Sequence, residues 1–128
     1  MRTTVPDRLV VARVPDHSEM TVYRIVRSDH RDDPVLLNSL RSNYELSGEP
    51  RKVERAWTAI HMGISTYSVE ESARQTAQTF PKLGDYIAQI SLRPGRGINW
   101  ASTGHPLHLT VWADPVKLLD AVVDIQPV

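Results

Sequence analysis

A period of two runs through this chain. Met20–Val26 (MTVYRIV), Tyr86–Leu92 (YIAQISL) and residues 107–112 (LHLTVW) are β-branched and aromatic stretches in which apolar and polar side chains alternate. Alternation sends successive side chains to opposite faces of a sheet, so each stretch reads as a strand, and the rest of the fold must cover what those faces expose. Helical spacing occurs only in short segments between them. Asp33-Pro34 supplies a cap and a proline at the first helical position. Val35, Leu36, Leu40 and Tyr44 then recur at helical intervals until Gly48-Glu49-Pro50, which predicts a helix of about three turns. Ser68 with Glu71 three residues on reads as a capping box, and Val69, Ala73, Ala77 and Phe80 as the buried stripe of a helix stopped by Pro81. Asp114-Pro115 repeats the cap-plus-proline start for a short helix through Val122.

The remaining segments complete the order. Residues 57–67 read as a second strand running into a loop. Residues 98–101 begin a short strand after the turn Pro94-Gly95-Arg96-Gly97, and residues 123–128 close the chain as a strand. Residues 9–14 lie between Pro6 and Pro15, which makes residues 1–19 an edge strand or a mobile arm ahead of one domain over residues 20–128. The order β-α-β-α-β-β-β-α-β is not strictly alternating. It predicts an α+β fold with a mixed or largely antiparallel sheet and about three helices, not a doubly wound one.

Composition narrows the chemistry. The 128 residues suit one domain, and fifteen Lys+Arg balance fifteen Asp+Glu, so no bulk field draws in nucleic acid or anionic lipid. A local arginine patch is compatible with that balance. Without cysteine there is no disulfide frame, thiolate zinc site or cysteine nucleophile, which favours a cytoplasmic home. No apolar run approaches the roughly 20 residues of a membrane span. His17, His30, His61, His105 and His108 show no metal-binding spacing, so no metal site is expected.

Three segments carry more polar groups than packed strands need. Arg24 stands inside an apolar strand, and a buried arginine requires a counter-charge or an anion. It reads either as a salt-bridged or exposed strand position, or as a fork for a phosphate or carboxylate. Gly63 followed by Ser65, Thr66, Tyr67 and Ser68 places a permissive backbone point and four hydroxyls before a helix start, where amides also attract anions. His108, on the strand that holds Trp112, is eligible as a base but equally fits a half-buried strand position. If His108 and Trp112 share a strand, they share a face.

Two resemblances follow from particular residues. Leu40-Arg41-Ser42-Asn43-Tyr44-Glu45, Gly63-Ile64-Ser65-Thr66-Tyr67, Phe80-Pro81-Lys82-Leu83-Gly84-Asp85-Tyr86-Ile87-Ala88, and Gly104-His105 followed by Leu109-Thr110-Val111-Trp112-Ala113-Asp114-Pro115 resemble a set of small proteins common in actinobacteria and their mobile elements. That resemblance carries no activity with it. Arg24 and Ser65-Thr66-Tyr67 also resemble the ADP-ribosyltransferase-like fold, including the RES-domain toxins that consume NAD. Those proteins set an arginine on an early strand, a serine or tyrosine on a later one and a glutamate farther on around a dinucleotide cleft. The resemblance implies that Arg24 holds a pyrophosphate, that Tyr67 stacks on nicotinamide, and that Glu70 or Glu71 orients the ribose. The chain departs from it in carrying no glutamate on a late strand.

Two functions are therefore expected in parallel. One is an NAD-binding or NAD-consuming toxin or effector with Arg24, Tyr67, Glu70 and Glu71 as its catalytic set and Gly63, Ser65, Thr66, Ser68 and His108 lining the site. The other is a non-enzymatic module of the regulator, antitoxin or immunity type that binds a protein partner. A pocket joining Arg24, Tyr67 and a carboxylate favours the first, and a flat apolar patch the second.

Overall fold

In the computed structural model, which describes residues 10–42, 62–103 and 107–128, the alternating segments become β1 (Ala12–Arg13), β2 (Met20–Val26), β3 (Ile64–Tyr67), β4 (Tyr86–Leu92), β5 (Asn99–Ser102), β6 (His108–Trp112) and β7 (Val122–Pro127). They form one seven-stranded sheet in the order β1-β5-β6-β3-β2-β4-β7. Every pairing is antiparallel. With the helices α1 (Pro34–Ser39), α2 (Glu70–Thr79) and α3 (Pro115–Asp120), the fold is α+β.

The period of two explains how both faces are covered. Val22 and Val26 of β2 share a face with Ala88 and Ile90 of β4, and onto it Leu36 and Leu40 at α1 and Leu118 of α3 deliver the larger core. Tyr23 and Ile25 point the other way, where Ile87 meets Ala73 and Ala77 of α2. Small residues on α2 let the helix lie close to the sheet. β6 runs without a register break against both β3 and β5, so His108, Thr110 and Trp112 share one face, as their spacing predicts.

Both Asp-Pro starts hold. Asp33 accepts a hydrogen bond from the Val35 N–H and Asp114 one from the Val116 N–H, each at 2.9 Å. The Ser68 capping box does not form. Ser68 instead continues the β3–β6 ladder, its N–H donating to the Leu107 carbonyl at 2.9 Å, while Val69 occupies the cap position with no side-chain bond. The α2 stripe is also shorter than expected. Helix geometry ends at Thr79 and the chain turns into a 3-10 segment, Pro81–Leu83, leaving Val69 and Phe80 exposed.

Other boundaries move for local reasons. α1 spans Pro34–Ser39 rather than three turns, because Leu40 leaves helical geometry and its N–H turns back to the Leu37 and Asn38 carbonyls. Tyr44 and the Gly48-Glu49-Pro50 stop lie outside the described residues. Of the strand expected over 57–67, Ile64–Tyr67 is strand, Met62 and Gly63 form a turn, and 57–61, with Trp57 and His61, lie outside the description. Gly63 is a packing requirement: a Cβ there would stand 2.8 Å from the Val111 carbonyl oxygen. α3 stops at Asp120, and Val122 begins β7. Of the N-terminal segment, Ala12–Arg13 form β1 at one edge of the sheet and Val14 beside it is buried in the main core, while residues 1–9 lie outside the described residues.

Candidate functional site

β2 and β3 pair only at Tyr23 and Tyr67, while β3 stays paired with β6 along its length. Where β2 and β3 part, the Arg24 side chain enters the gap. Its Nη1 donates to the Ser65 carbonyl at 2.8 Å and its Nε to the Ser39 carbonyl at 3.1 Å. Arg24 thus ties the end of α1 to β3, a favourable place for a cation because the C-terminal carbonyls of a helix carry partial negative charge. Ser39 is fixed in turn: its hydroxyl donates to the Val35 carbonyl at 2.8 Å and accepts from the Arg27 N–H at 3.1 Å.

Among the described residues Arg24 is neither exposed nor held in a salt bridge. Both partners are uncharged carbonyls, and burial pulls the guanidinium well below its ordinary value, to about 10, with the nearby Tyr67 phenol opposing that shift. At neutral pH it is a desolvated cation without a counter-charge among the described residues. The other N–H groups of its fork make no hydrogen bond among the described residues.

The gap widens into a cavity of about 580 Å³. Arg24, Ser65 and Tyr67 line it together with Arg27, Arg41, Asn38 and Ser39, and Ile25, Val35 and Leu83 supply apolar wall. No carboxylate is among these lining residues. Leu83 is delivered by a tight turn, since a Cβ on Gly84 would meet the Val26 carbonyl oxygen at 2.3 Å.

Tyr67 links this cavity to a polar row on the opposite side of β3. It stands opposite His108 in the ladder, and the rings meet edge to face, 5.4 Å apart at 81°. His108 Nδ1 lies 2.9 Å from the Thr103 carbonyl oxygen, which can only accept, so a hydrogen bond between the two is donated by Nδ1. The Thr103 hydroxyl completes the row at 2.9 Å from Nδ1 and 2.8 Å from the Thr110 hydroxyl.

The expected set is therefore divided. Arg24, Ser65 and Tyr67 come together, and His108 stands behind Tyr67. Thr66 points into the core with its hydroxyl given to the Leu109 carbonyl at 2.9 Å. Gly63 packs on β6 and Ser68 extends the ladder, so neither lines the cavity. Glu70 and Glu71 face solvent in the first turn of α2, Glu70 beside Arg74 at 3.7 Å and Glu71 accepting from Gln75 at 3.2 Å. Among the described residues, therefore, neither Glu70 nor Glu71 supplies the cavity wall with the carboxylate that the transferase resemblance implies. Arg27, Asn38, Ser39 and Arg41 join the site unannounced. Arg27 belongs to the same polar strand segment as Arg24, but the others depend on where α1 ends. Among the described residues no group of three His, Asp or Glu is placed to hold a metal, and no helix is long and apolar enough to cross a membrane.

No protein family, no curated protein and no solved structure matches this chain.

Proposed function

We propose that the chain binds a small phosphate-bearing ligand, of the NAD or ADP-ribose kind, in the cavity between α1, β2 and β3. The observation that carries this reading is Arg24, a desolvated guanidinium held by two carbonyls at a cavity whose described wall includes two further arginines and no carboxylate. An anion there supplies the missing counter-charge, and planar guanidinium forks match phosphate oxygens in pairs. Tyr67 offers a ring for a flat base, and Ile25, Val35 and Leu83 offer apolar surface for it. An arginine and a tyrosine from separate strands meeting at one cleft is the arrangement that the transferase resemblance implies. NAD consumption by a cytoplasmic toxin or effector would further require a group to stabilise charge at the ribose, which Glu70 and Glu71 do not provide from their positions.

Thermal melting with NAD, ADP-ribose, nucleotides and inorganic phosphate tests the reading. A true ligand at a hundred times its dissociation constant adds about 2.7 kcal/mol of stability. Arg41→Ala and Tyr67→Ala should each weaken that shift at least tenfold in ligand concentration. The reading fails if no phosphate-bearing compound raises the melting temperature, or if the shift persists unchanged in both variants. Exposed Val35 and Leu83 at the same cavity, with exposed Phe80, favour a second reading, a protein partner of the regulator, antitoxin or immunity kind. Capture of a protein that Leu83→Asp abolishes, with no response to nucleotides, would select it.

A further inference from the structure

The arginines of the fold divide by what they hold. Arg24, Arg27, Arg31 and Arg74 each donate to backbone carbonyls. Arg41 makes no such bond and lines the cavity already described. Arg13, Arg93 and Arg96 likewise make no side-chain hydrogen bond or ion pair among the described residues, and all three surround a single turn, Pro94-Gly95-Arg96-Gly97. Lys117 joins them from α3, its Nζ donating only to the Arg96 carbonyl at 3.3 Å.

The turn projects between two hollows. One, of about 120 Å³, is lined by Arg93, Arg96 and Lys117, and the other, of about 490 Å³, by Arg13 with the turn's glycines; Ile98 forms part of both walls. Gly95 and Gly97 have φ of 75° and 68°, a backbone that glycine alone adopts without strain, and nothing lies within 4 Å of where a Gly95 Cβ would be. The tip is therefore open to close approach. Asp16 and Asp120 line the same hollows without engaging any of the four cations within salt-bridge distance.

We infer that this turn is a docking surface for the phosphate backbone of a nucleic acid. In a chain with no net charge, four cations gather at one place with no acidic partner among the described residues, two acids within the same hollows notwithstanding. Long exposed side chains spread over two adjoining hollows suit successive phosphates of a polymer, whereas a single small anion would be enclosed by buried donors. The interleaved acids count against a flat, densely anionic lipid surface. This surface shares no residue with the Arg24 cavity, so it stands or falls separately from the function proposed there.

Binding of a fluorescent duplex oligonucleotide to the full chain, measured by anisotropy against salt, is the test. Four phosphate contacts predict a log–log slope of about −3.6, a loss of roughly 100-fold in affinity between about 50 and 200 mM salt. The triple variant Arg93→Ala/Arg96→Ala/Lys117→Ala should reduce the slope to about −1. Absence of binding at low salt, or the same slope in the triple variant, overturns the inference. So does saturation by inorganic phosphate or by anionic vesicles that the triple variant abolishes while the oligonucleotide stays unbound, since the surface then serves a free phosphate or a membrane.

Discussion

Arg24 does two jobs that lysine cannot share out. Its fork reaches carbonyls on two different elements, Ser39 at the end of α1 and Ser65 on β3, and the same side chain lines the cavity. Arg24→Lys should therefore abolish anion binding and also lower stability, by about 1.5–3 kcal/mol for each charge-assisted bond not remade. Arg41 makes no such bond, so Arg41→Ala should leave stability within about 0.5 kcal/mol and affect only the ligand. The pH dependence has a definite sign. Burial lowers the folded Arg24 to about 10, below its ordinary value in the unfolded chain, so from about pH 10 upward the unfolded chain binds more protons and the Arg24 contribution to stability rises with pH. Anion affinity should run the opposite way, steady from neutral pH and falling above about pH 10 as the guanidinium loses its charge. Calorimetric titration with ADP-ribose across that window checks it, and affinity unchanged above it would remove Arg24 from the site.

Elements were legible wherever one short rule decides them. Met20–Val26 and Tyr86–Leu92 emerge with the boundaries their alternation predicts, and both Asp-Pro pairs cap helices, because each signal acts within a few residues. Ser68 was misread because a capping box and a ladder extension use the same residue types, and pairing with Leu107, 39 positions away, decides between them. The two classes should separate by mutation. Asp114→Ala should cost about 1 kcal/mol, whereas Ser68→Ala should cost less than about 0.5 kcal/mol, since the Ser68 N–H keeps its place in the ladder. Urea denaturation of both variants measures this, and equal losses would restore Ser68 as a cap. The candidate site was half legible for a related reason. A strand arginine demands a partner and so announces itself, but Arg41, Asn38 and Ser39 enter only through the packing of α1 against β2, which no local pattern encodes.

At the scale of the molecule, the edges of the sheet are treated unequally. β7 carries Pro127 near its end, while β1 offers only Ala12 and Arg13 to cover β5. Removing residues 1–15 would strip that cover, expose the outer edge of β5 beside Trp100 and take Val14 out of the core. The truncated chain should melt lower and self-associate through the bared edge, which light scattering would detect; a monomer of unchanged stability would show that β1 is dispensable. The strand order also dictates when the protein can come into being. β1 waits for a partner at residues 99–100, β2 pairs along its length only with Tyr86–Leu92, and β3 waits for β6. Synthesis must therefore run on from β2 through Tyr86–Leu92 before the long central ladder can close, and the sheet assembles, in roughly milliseconds to seconds, from contacts distant along the chain. Until then the alternating face of β2 is uncovered, and a newborn copy is most vulnerable to sticking to its neighbours in the interval before Tyr86–Leu92 arrives.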